Sequence, residues 1–286
     1  MDTCNSTIGC SEEKRILFVK DGYPIEDCKS CVRRFAVIRD GENHLSKVYS
    51  DEYFFDGKDG YPNYLDEKEI LFNYGVHYAK KIARYKKPGK ILDVGCAAGF
   101  ILKGFESMGW QGSGIEPNET MANYGKNELN LNIEAGSLET YNSENKFDLI
   151  TMIQVIGHFY DVDKAMENIS HLSDQHGLVL VESWNMGSLI ARLLGKNWHE
   201  YSPPSVINWF SDDSLITLFE KYDFEIIDSG FPAKRINLKH ALSLLEKNTP
   251  NIFFKKKILD FLSQSIGKLV ISYPPVDLKW YLFRKV

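Results

Sequence analysis

The chain has 286 residues, of which 43% are hydrophobic and 26% charged, a composition typical of a globular protein that buries a sizeable core. Its formal net charge of −5 and pI near 5.9 argue against nucleic acid as the main partner, because phosphate binding needs a surplus of Lys and Arg. No apolar run is long enough for a membrane span, and the first residues lack the layout of a secretory signal. We therefore expect a cytoplasmic protein that acts on a small molecule.

The first 45 residues hold four of the five cysteines and are expected to form a small N-terminal unit. Cys28 and Cys31 have the spacing of a zinc knuckle, whereas Cys4 and Cys10 lie further apart. Four thiolates at these positions can form a structural zinc site. The alternative is a unit without metal, in which reduced cysteines behave as small apolar residues.

Residues 46–88 combine an aromatic stretch with a predicted helix. Apolar residues recur at helical spacing between Glu67 and Lys87, and Pro88-Gly89 is expected to end that helix. The aromatic stretch is expected either to fold over a bound cofactor as a lid or to pack between domains. Its residues are Tyr53, Phe54, Phe55, Tyr61 and Tyr64.

Residues 89–286 are expected to form the main domain. Short apolar runs alternate there with amphipathic segments, which predicts repeated βαβ units and an α/β, doubly wound, mostly parallel sheet. Residues 279–285 are expected to form the last strand. A helical insertion at about 233–277 is predicted before it, in which the Lys255–Lys257 cluster is interpreted as solvated surface.

The strongest signal is the segment ILDVGCAAGFILKGFESMGWQGSGIEPN, in which a buried strand leads into a Gly-rich turn, a helix and a second strand. Gly95 and Gly99 let the backbone turn sharply and approach a ligand without a Cβ in the way. The carboxylate of Glu116, at the end of the second strand, is placed to accept both hydroxyls of a ribose. The turn departs from the dinucleotide fingerprint G-x-G-x-x-G, which favours a single nucleoside with a cationic tail.

Three motifs in chain order, LDVGCAAG, IEPN and FDLITMIQVIGHFYD, resemble the cofactor motifs of class I S-adenosylmethionine-dependent methyltransferases. The resemblance spans residues 88–286, and its second half is similar to the ubiquinone-biosynthesis O-methyltransferases. It implies a Rossmann-like, seven-stranded sheet with an antiparallel last strand, and S-adenosyl-L-methionine as cofactor. It also implies that the cysteine unit is a degenerate zinc ribbon.

The resemblance further implies where each part of the cofactor binds. Asp93 would lie near the methionine amino group, and Glu116 would hold the ribose. The residues that would line the methionine and ribose between them are Gly95, Cys96, Ala97, Gly99 and Phe100. The residues expected to border the adenine are Pro117, Asn118, Ser137 and Leu138. At Ser137 the family more often has an acid, so this chain departs from the pattern there.

Ile153 and Gln154, at the end of a later strand, would face the methionine tail in the same scheme. The side chain of Gln154 has both donors and an acceptor for the carboxylate and ammonium of that tail. Its alternative interpretation is a solvated strand end.

His158 is the candidate catalytic residue. The family usually has Glu-His at this point, whereas this chain has Gly157-His158. Methyl transfer is an in-line displacement that depends mainly on alignment, and a base is needed only when the acceptor is a hydroxyl. His158 is therefore interpreted either as that base or as a hydrogen-bonded histidine that packs the loop.

The link between Ser183 and Phe210 is unusually long and rich in aromatic residues. Long loops of this kind are usually functional, so the link is expected to shape the substrate pocket, with His199 and Tyr201 as reserve bases. The alternative is a satellite cluster of aromatic residues that covers a helix.

The leading functional hypothesis is methyl transfer to a small-molecule acceptor, with O-methylation of a sugar, quinone-like or natural-product substrate as its main form. A non-catalytic cofactor-binding protein is the first alternative, because of Gly157 and Ser137. A nicotinamide-dependent oxidoreductase is the second, although it needs a third glycine that the turn lacks. The sequence determines neither the acceptor nor the oligomeric state.

Overall fold

The computed structural model of the chain describes residues 14–28, 33–38, 48–55, 63–233, 235–237 and 270–286. Within these ranges the strands form a seven-stranded sheet, a four-stranded sheet and a two-stranded pair. The strands in chain order are β1 (Lys14–Lys20), β2 (Tyr23–Cys28), β3 (Arg34–Ala36), β4 (Lys90–Val94), β5 (Gln111–Glu116), β6 (Ile133–Ala135), β7 (Phe147–Ile153), β8 (Ser173–Trp184), β9 (Asn208–Trp209), β10 (Phe224–Gly230), β11 (Arg235–Asn237), β12 (Val270–Ser272) and β13 (Leu278–Lys285). The α-helices are α1 (Asp51–Phe55), α2 (Lys68–Ile82), α3 (Phe100–Glu106), α4 (Glu119–Leu129), α5 (Val162–Leu172), α6 (Leu189–Leu194) and α7 (Asp212–Glu220).

The central sheet has the strand order β10-β13-β8-β7-β4-β5-β6. Strands β4 to β8 run parallel, and β13 runs antiparallel to both of its neighbours. This confirms the predicted Rossmann-like α/β fold with seven strands and an antiparallel last strand. The chain moves outward from β4 through β5 and β6 and then returns to β7 on the other side of β4. Ligands in such sheets bind outside the carboxyl ends of the strands at this switch point.

Helices cover both faces of the central sheet. On one face α5 and α7 pack on the strands through buried residues such as Met166 and Phe219. On the other face α2 and α3 pack through residues such as Tyr78 and Phe105. Two covered faces explain why β8 carries a continuous run of buried apolar residues instead of an alternating pattern.

Helices α2 and α3 pack closely because glycines lie at their contact. A Cβ on Gly75 would lie 2.1 Å from the Ile101 carbonyl oxygen, and one on Gly104 would lie 2.3 Å from the Phe72 carbonyl oxygen. The atoms that would clash belong to the backbone, so they cannot move aside as a flexible side chain can. This contact sets the position of α2 beside the carboxyl edge of the sheet.

The N-terminal unit shares a sheet with the main domain. Strands β1, β2 and β3 form an antiparallel meander, and β3 pairs with β9, which belongs to the link after β8. Trp198, Tyr201 and Trp209 of that link are buried against residues of the N-terminal strands, including Ile25 and Ala36. These three aromatic residues therefore form a packing cluster, which lies against strands instead of covering a helix.

The predicted helix before the main domain is shorter than its sequence pattern. It ends at Ile82, and residues 83–85 form a turn whose side chains are exposed, so burial does not extend the helix to Lys87. The region of the predicted helical insertion contains a short strand near each end, β11 and β12, and these two strands pair antiparallel. The helices predicted between these two strands lie outside the described residues, as does the Lys255–Lys257 cluster.

The predicted zinc site falls mostly outside the described residues, since Cys4, Cys10 and Cys31 are not among them. Cys28 is buried at the end of β2. Among the residues that the structure describes, no group of His, Cys, Asp and Glu side chains is arranged to hold a metal ion. Within the same residues, no helix has the length and apolar character needed to cross a membrane. Tyr61 of the aromatic stretch also lies outside the described ranges.

The close contact of α2 and α3 generates a test of the fold. We expect Gly75→Ala to lower the free energy of unfolding by about 1–3 kcal/mol, because its Cβ meets backbone. Gly125→Ala is the matched control, since it is also a helical glycine but its Cβ would first meet the terminal methyl of Ile133, which can rotate. Urea denaturation of both variants checks this. Equal losses would mean that close backbone approach does not govern the α2–α3 contact.

Candidate active site

The Gly-rich turn lies at the carboxyl end of β4, where the topology places a ligand. Gly95 and Gly99 have φ angles of +64° and +81°, in the left-handed region that glycine tolerates. A Cβ on Gly95 would lie 2.7 Å from Cγ2 of Val155, so the turn and the residues after β7 are in close contact. The amide of Gly95 donates to the carbonyl of Ile115 at 2.8 Å, which anchors the turn to β5.

Ala97 holds a conformation that the sequence did not predict. Its φ angle is +48°, a strained value for a residue with a Cβ, and functional sites often hold such strain. The Ala97 amide donates to Oε2 of Glu116 at 2.8 Å. The strained turn is thus held by a hydrogen bond to a buried carboxylate.

Glu116 joins the turn to the start of α4. Its Oε2 accepts from Ala97 and its Oε1 accepts from the Asn118 amide, each at 2.8 Å. Burial raises the pKa of Glu116 to about 7, against the opposing effect of the two amide donors. Each carboxylate oxygen has a second lone pair, which a ribose hydroxyl can use.

Asn118, which was predicted to border the adenine, also forms hydrogen bonds within the protein. Its Oδ1 caps α4 by accepting from the Met121 amide at 2.8 Å. Its Nδ2 donates to the Tyr49 carbonyl at 2.9 Å and to Oδ1 of Asp51 at 3.0 Å. Asn118 therefore ties residues 48–55 to the carboxyl edge of the sheet.

Asp93 is a second buried carboxylate at this edge. Its Oδ1 accepts from the hydroxyl of Thr151 on β7 at 2.6 Å. Burial raises the pKa of Asp93 to about 7, and the Thr151 bond opposes that rise. Thr151 was not predicted as a site residue, because a threonine within an apolar strand carries no distinguishing pattern.

Aromatic residues cover the Gly-rich turn. Tyr64 stacks on Phe100 with ring centroids 5.9 Å apart, and Phe54 meets Tyr64 edge to face at 5.7 Å. They belong to one cluster with Ala97 and Ala98 of the turn. We call this group the aromatic cover; its members are Tyr53, Phe54, Phe55 and Tyr64.

The residues predicted near adenine on the third strand differ in their surroundings. Leu138 is buried and packs in the core cluster of the α5 face. The hydroxyl of Ser137 lies 3.4 Å from that of Thr140. The neighbouring Glu139 is buried, and its Oε1 accepts from the Tyr160 amide at 3.0 Å. Its Oε2 is buried and has no hydrogen-bond partner among the described residues.

Ile153 ends β7, and Gln154 follows it with a φ angle of +60°. The Gln154 amide donates to the Glu182 carbonyl, and its Nε2 donates to Oε1 of Glu182, both at 2.8 Å. Glu182 is fully buried near the end of β8. The sequence analysis missed Glu182, although a carboxylate at the end of an apolar strand was a signal for it.

His158 lies in the short helical turn after β7. Its Nδ1 is 2.8 Å from the carbonyl oxygen of Ser205 and 2.6 Å from the hydroxyl of Tyr49, which also donates to that carbonyl at 2.9 Å. Burial lowers the pKa of His158, while bonds to the carbonyls of Ser205 and Gln154 act in the opposite direction. Burial therefore favours the neutral form of the His158 ring.

Position 157, where the methyltransferases that this chain resembles usually have a glutamate, has little room for a side chain larger than that of glycine. A Cβ on Gly157 would lie 3.0 Å from the Asn208 carbonyl oxygen and 3.3 Å from Cγ1 of Val206. The Gly157 carbonyl accepts from the Ile207 amide at 2.9 Å. The aromatic link therefore occupies the space in which a larger side chain at this position would begin.

The two reserve bases lie in the packing cluster around the link. The Tyr201 hydroxyl accepts from Arg34 of the N-terminal sheet at 2.5 Å. The ring of His199 meets that of Trp184 edge to face, with centroids 4.7 Å apart, and its Nδ1 lies 3.9 Å from Oδ2 of Asp277. These contacts join Tyr201 to the N-terminal sheet and His199 to Trp184 and Asp277.

Comparisons with known proteins agree with this geometry. The family model of a methyltransferase domain matches residues 73–229, which is more than half of the chain. The ubiquinone biosynthesis O-methyltransferase of Rickettsia akari (strain Hartford) is 26% identical over 166 residues, which cover 51% of this chain and 64% of that relative. The match therefore spans less than two thirds of the relative's length.

Solved structures share the fold at low sequence identity. The YcgJ protein from Bacillus subtilis superposes with a TM-score of 0.51 at 18% identity, covering 74% of this chain and 98% of that one. A Burkholderia thailandensis 1,6-didemethyltoxoflavin-N1-methyltransferase, with bound 1,6-didemethyltoxoflavin and S-adenosylhomocysteine, has a TM-score of 0.54 at 12% identity. That likeness covers 96% of this chain and all of the Burkholderia chain. From the family match and the fold together, the chain belongs to the methyltransferase domain family.

Proposed function

We propose that this methyltransferase transfers the methyl group of S-adenosylmethionine to a hydroxyl of a small-molecule acceptor, such as a sugar, a quinone-like ring or a natural product. The observation that carries the proposal is the position of His158 at the carboxyl edge of the sheet, where its amide bonds to the carbonyl of Val155, the residue that contacts the Gly-rich turn. The Rickettsia relative, named as an O-methyltransferase, supports the same acceptor chemistry.

The residues of the carboxyl edge fit the proposed cofactor. The Gly-rich turn allows close approach at Gly95, where a Cβ would have no room. The cofactor supplies a methyl group activated by a sulfonium, and its positive charge favours an edge that carries the carboxylates of Asp93 and Glu116. We assign the ribose to Glu116, whose oxygens keep lone pairs beyond the two amide bonds.

The other cofactor contacts are proposed at the positions that the sequence analysis named. The methionine end would lie beside Asp93, Ile153 and Gln154. The adenine would lie beside Pro117, Asn118, Ser137 and Leu138. The aromatic cover would exclude water from the turn, because its rings pack directly on Ala97 and Phe100.

The tautomer of His158 supports its role as a general base. We assign the proton of the neutral ring to Nδ1, which donates to the Ser205 carbonyl, so that the lone pair lies on Nε2. The Tyr49 hydroxyl reinforces this arrangement, because it donates to the same carbonyl and can accept from Nδ1. Nε2 would take the proton that the acceptor hydroxyl loses as its oxygen bonds to the methyl carbon and the carbon–sulfur bond breaks.

One experiment distinguishes the proposed methyl transfer from the alternative, in which the protein binds the cofactor without catalysis. Purified protein is titrated with S-adenosylmethionine, S-adenosylhomocysteine and NAD by calorimetry, and is then assayed against a panel of hydroxylated small molecules. We expect binding of the first two ligands, no binding of NAD, and methyl transfer to at least one hydroxyl. Binding without transfer to any acceptor would favour the alternative.

The role of Glu116 can be tested by substitution. We expect Glu116→Gln to weaken S-adenosylhomocysteine binding by about 1.5–3 kcal/mol, because charge-assisted hydrogen bonds to the ribose are lost. Asp148→Asn is the control, since Asp148 also accepts a backbone amide bond, from Lys90, but lies at the opposite edge of the sheet. Unchanged affinity in Glu116→Gln would remove Glu116 from the ribose site.

The raised pKa of Glu116 predicts a pH dependence of cofactor binding. The ribose hydroxyls donate to the ionised carboxylate, so protonation of the free protein competes with binding below its pKa of about 7. For one such group, the affinity for S-adenosylhomocysteine is expected to fall about tenfold from pH 8 to pH 6. Calorimetry across this range checks the slope. Glu116→Gln should show a flatter dependence, and an identical slope in the variant would contradict the assignment.

The role of His158 is tested by turnover. We expect His158→Ala to lower kcat by about 10²- to 10⁴-fold while leaving the affinity for S-adenosylhomocysteine unchanged. The wild-type rate should rise with pH through the lowered pKa of His158, and the variant should lose this limb of the profile. His171→Ala, an exposed histidine of α5, is the control. Full activity in His158→Ala would make His158 a packing residue.

A further inference from the structure

A buried cluster of polar side chains lies at the carboxyl edge beside the proposed methionine end of the cofactor. At its centre is Glu182, which is fully buried and pairs with Ile153 across β7 and β8. The hydroxyls of Tyr74 and Tyr78 both donate to its Oε2, and the side chain of Gln154 donates to its Oε1. All three partners are uncharged groups.

The two tyrosines come from one face of α2. They are four residues apart, so both hydroxyls reach the same carboxylate oxygen, and they lie 3.4 Å from each other. Burial and the Glu182 charge raise the pKa of each tyrosine, which keeps both hydroxyls protonated as donors. Two apolar residues would hold α2 on the sheet as well, and burial of a carboxylate costs free energy, so the cluster calls for a functional explanation.

The cluster determines how the Gln154 amide is oriented. A carboxylate only accepts hydrogen bonds, so the contact of 2.8 Å requires the NH₂ group of Gln154 to face Glu182. The backbone amide of Gln154 also donates to the Glu182 carbonyl. Both ends of Gln154 are therefore fixed by one residue of β8, in a backbone conformation with a positive φ angle.

Gln154 stands directly beside the Gly-rich turn. The next residue, Val155, is the one that a Cβ on Gly95 would strike at 2.7 Å. A ligand that approaches Gly95 therefore meets the segment that carries Gln154. A flipped amide at this place would exchange a donor for an acceptor, which a zwitterionic amino-acid group distinguishes.

We propose that Glu182, held by Tyr74 and Tyr78, is a positioning residue that fixes the Gln154 amide for recognition of the amino-acid end of S-adenosylmethionine. The inference rests on the proposed function, because it needs the methionine end beside Gln154. Its ligand chemistry is an α-ammonium and α-carboxylate pair, which the adenosine part of the cofactor lacks.

The first experiment compares two ligands by calorimetry. S-adenosylhomocysteine carries the amino-acid group, whereas 5′-methylthioadenosine keeps the thioadenosine and lacks that group. A glutamine at position 182 can donate as well as accept and so no longer dictates the amide orientation. We expect Glu182→Gln to weaken S-adenosylhomocysteine binding by about three- to tenfold and to leave 5′-methylthioadenosine binding unchanged. Equal weakening of both ligands, or of neither, would overturn the proposal.

A double-mutant cycle separates positioning from a general loss of structure. If Glu182 acts through Gln154, Glu182→Gln should have less than about a twofold effect on S-adenosylhomocysteine binding in a Gln154→Ala background. Additive effects of the two substitutions would contradict the inference. Tyr85→Phe is the matched control, because it also removes a bond from a tyrosine hydroxyl to a carboxylate, that of Asp228, but at an exposed place away from the site.

Tyr78→Phe and Tyr74→Phe keep the inference testable if Glu182→Gln does not fold. Each keeps the ring that packs in the core and removes one hydroxyl from the carboxylate. We expect each to lower S-adenosylhomocysteine affinity by a smaller factor than Glu182→Gln, again with 5′-methylthioadenosine unaffected. If wild-type protein binds neither ligand, the proposed function itself fails. If wild-type protein binds both and the variants match it, only the role of Glu182 fails.

Discussion

The carboxylate of Glu116 is the contact on which the carboxyl edge depends. It accepts the amide of Ala97 on one oxygen and that of Asn118 on the other, so one buried group holds the Gly-rich turn and starts α4. The side chain of Asn118 then binds the backbone of Tyr49 and the side chain of Asp51. Hydrogen bonds of Glu116 and Asn118 thus connect the Gly-rich turn, helix α4 and the segment before the aromatic cover. A substitution at Glu116 would remove the hydrogen bonds to the turn and to Asn118, and through Asn118 it would also affect the segment that contains Tyr49 and Asp51.

Two buried carboxylates near the turn have pKa values raised to about 7. Burial of this kind costs free energy in the free protein, and a cationic ligand with hydroxyl donors offsets that cost on binding. These buried carboxylates suit the ligand that we propose, because S-adenosylmethionine brings a positive charge and hydroxyl donors.

The link after β8 has two structural roles. Most of its large aromatic residues pack on the N-terminal strands, and β9 completes their sheet. The same link brings the Ser205 carbonyl to His158 and occupies the space beside Gly157. The N-terminal unit thus supports, through the link, the loop that orients the candidate base.

The sequence by itself predicted the fold, which the structure confirms, and the edge of the sheet at which we propose that the cofactor binds. The Gly-rich turn, the acidic end of β5 and the alternation of strands and helices are local patterns, and local backbone geometry follows from them. It also indicated His158 and Gln154, because both follow a strand whose end is recognisable.

Only the tertiary structure decided which side chains complete these groups. Tyr74 lies 108 residues from Glu182, and Tyr49 lies 109 residues from His158, so neither contact leaves a periodic or spaced signal in the chain. Tyr74 and Tyr78 looked like ordinary apolar positions of a helix, and the left-handed Ala97 looked like a small residue in a turn. Burial and hydrogen-bond direction are properties of the packed molecule, since they depend on which elements meet. For that reason the sequence predicted the place of the site, and packing supplied the partners that orient it.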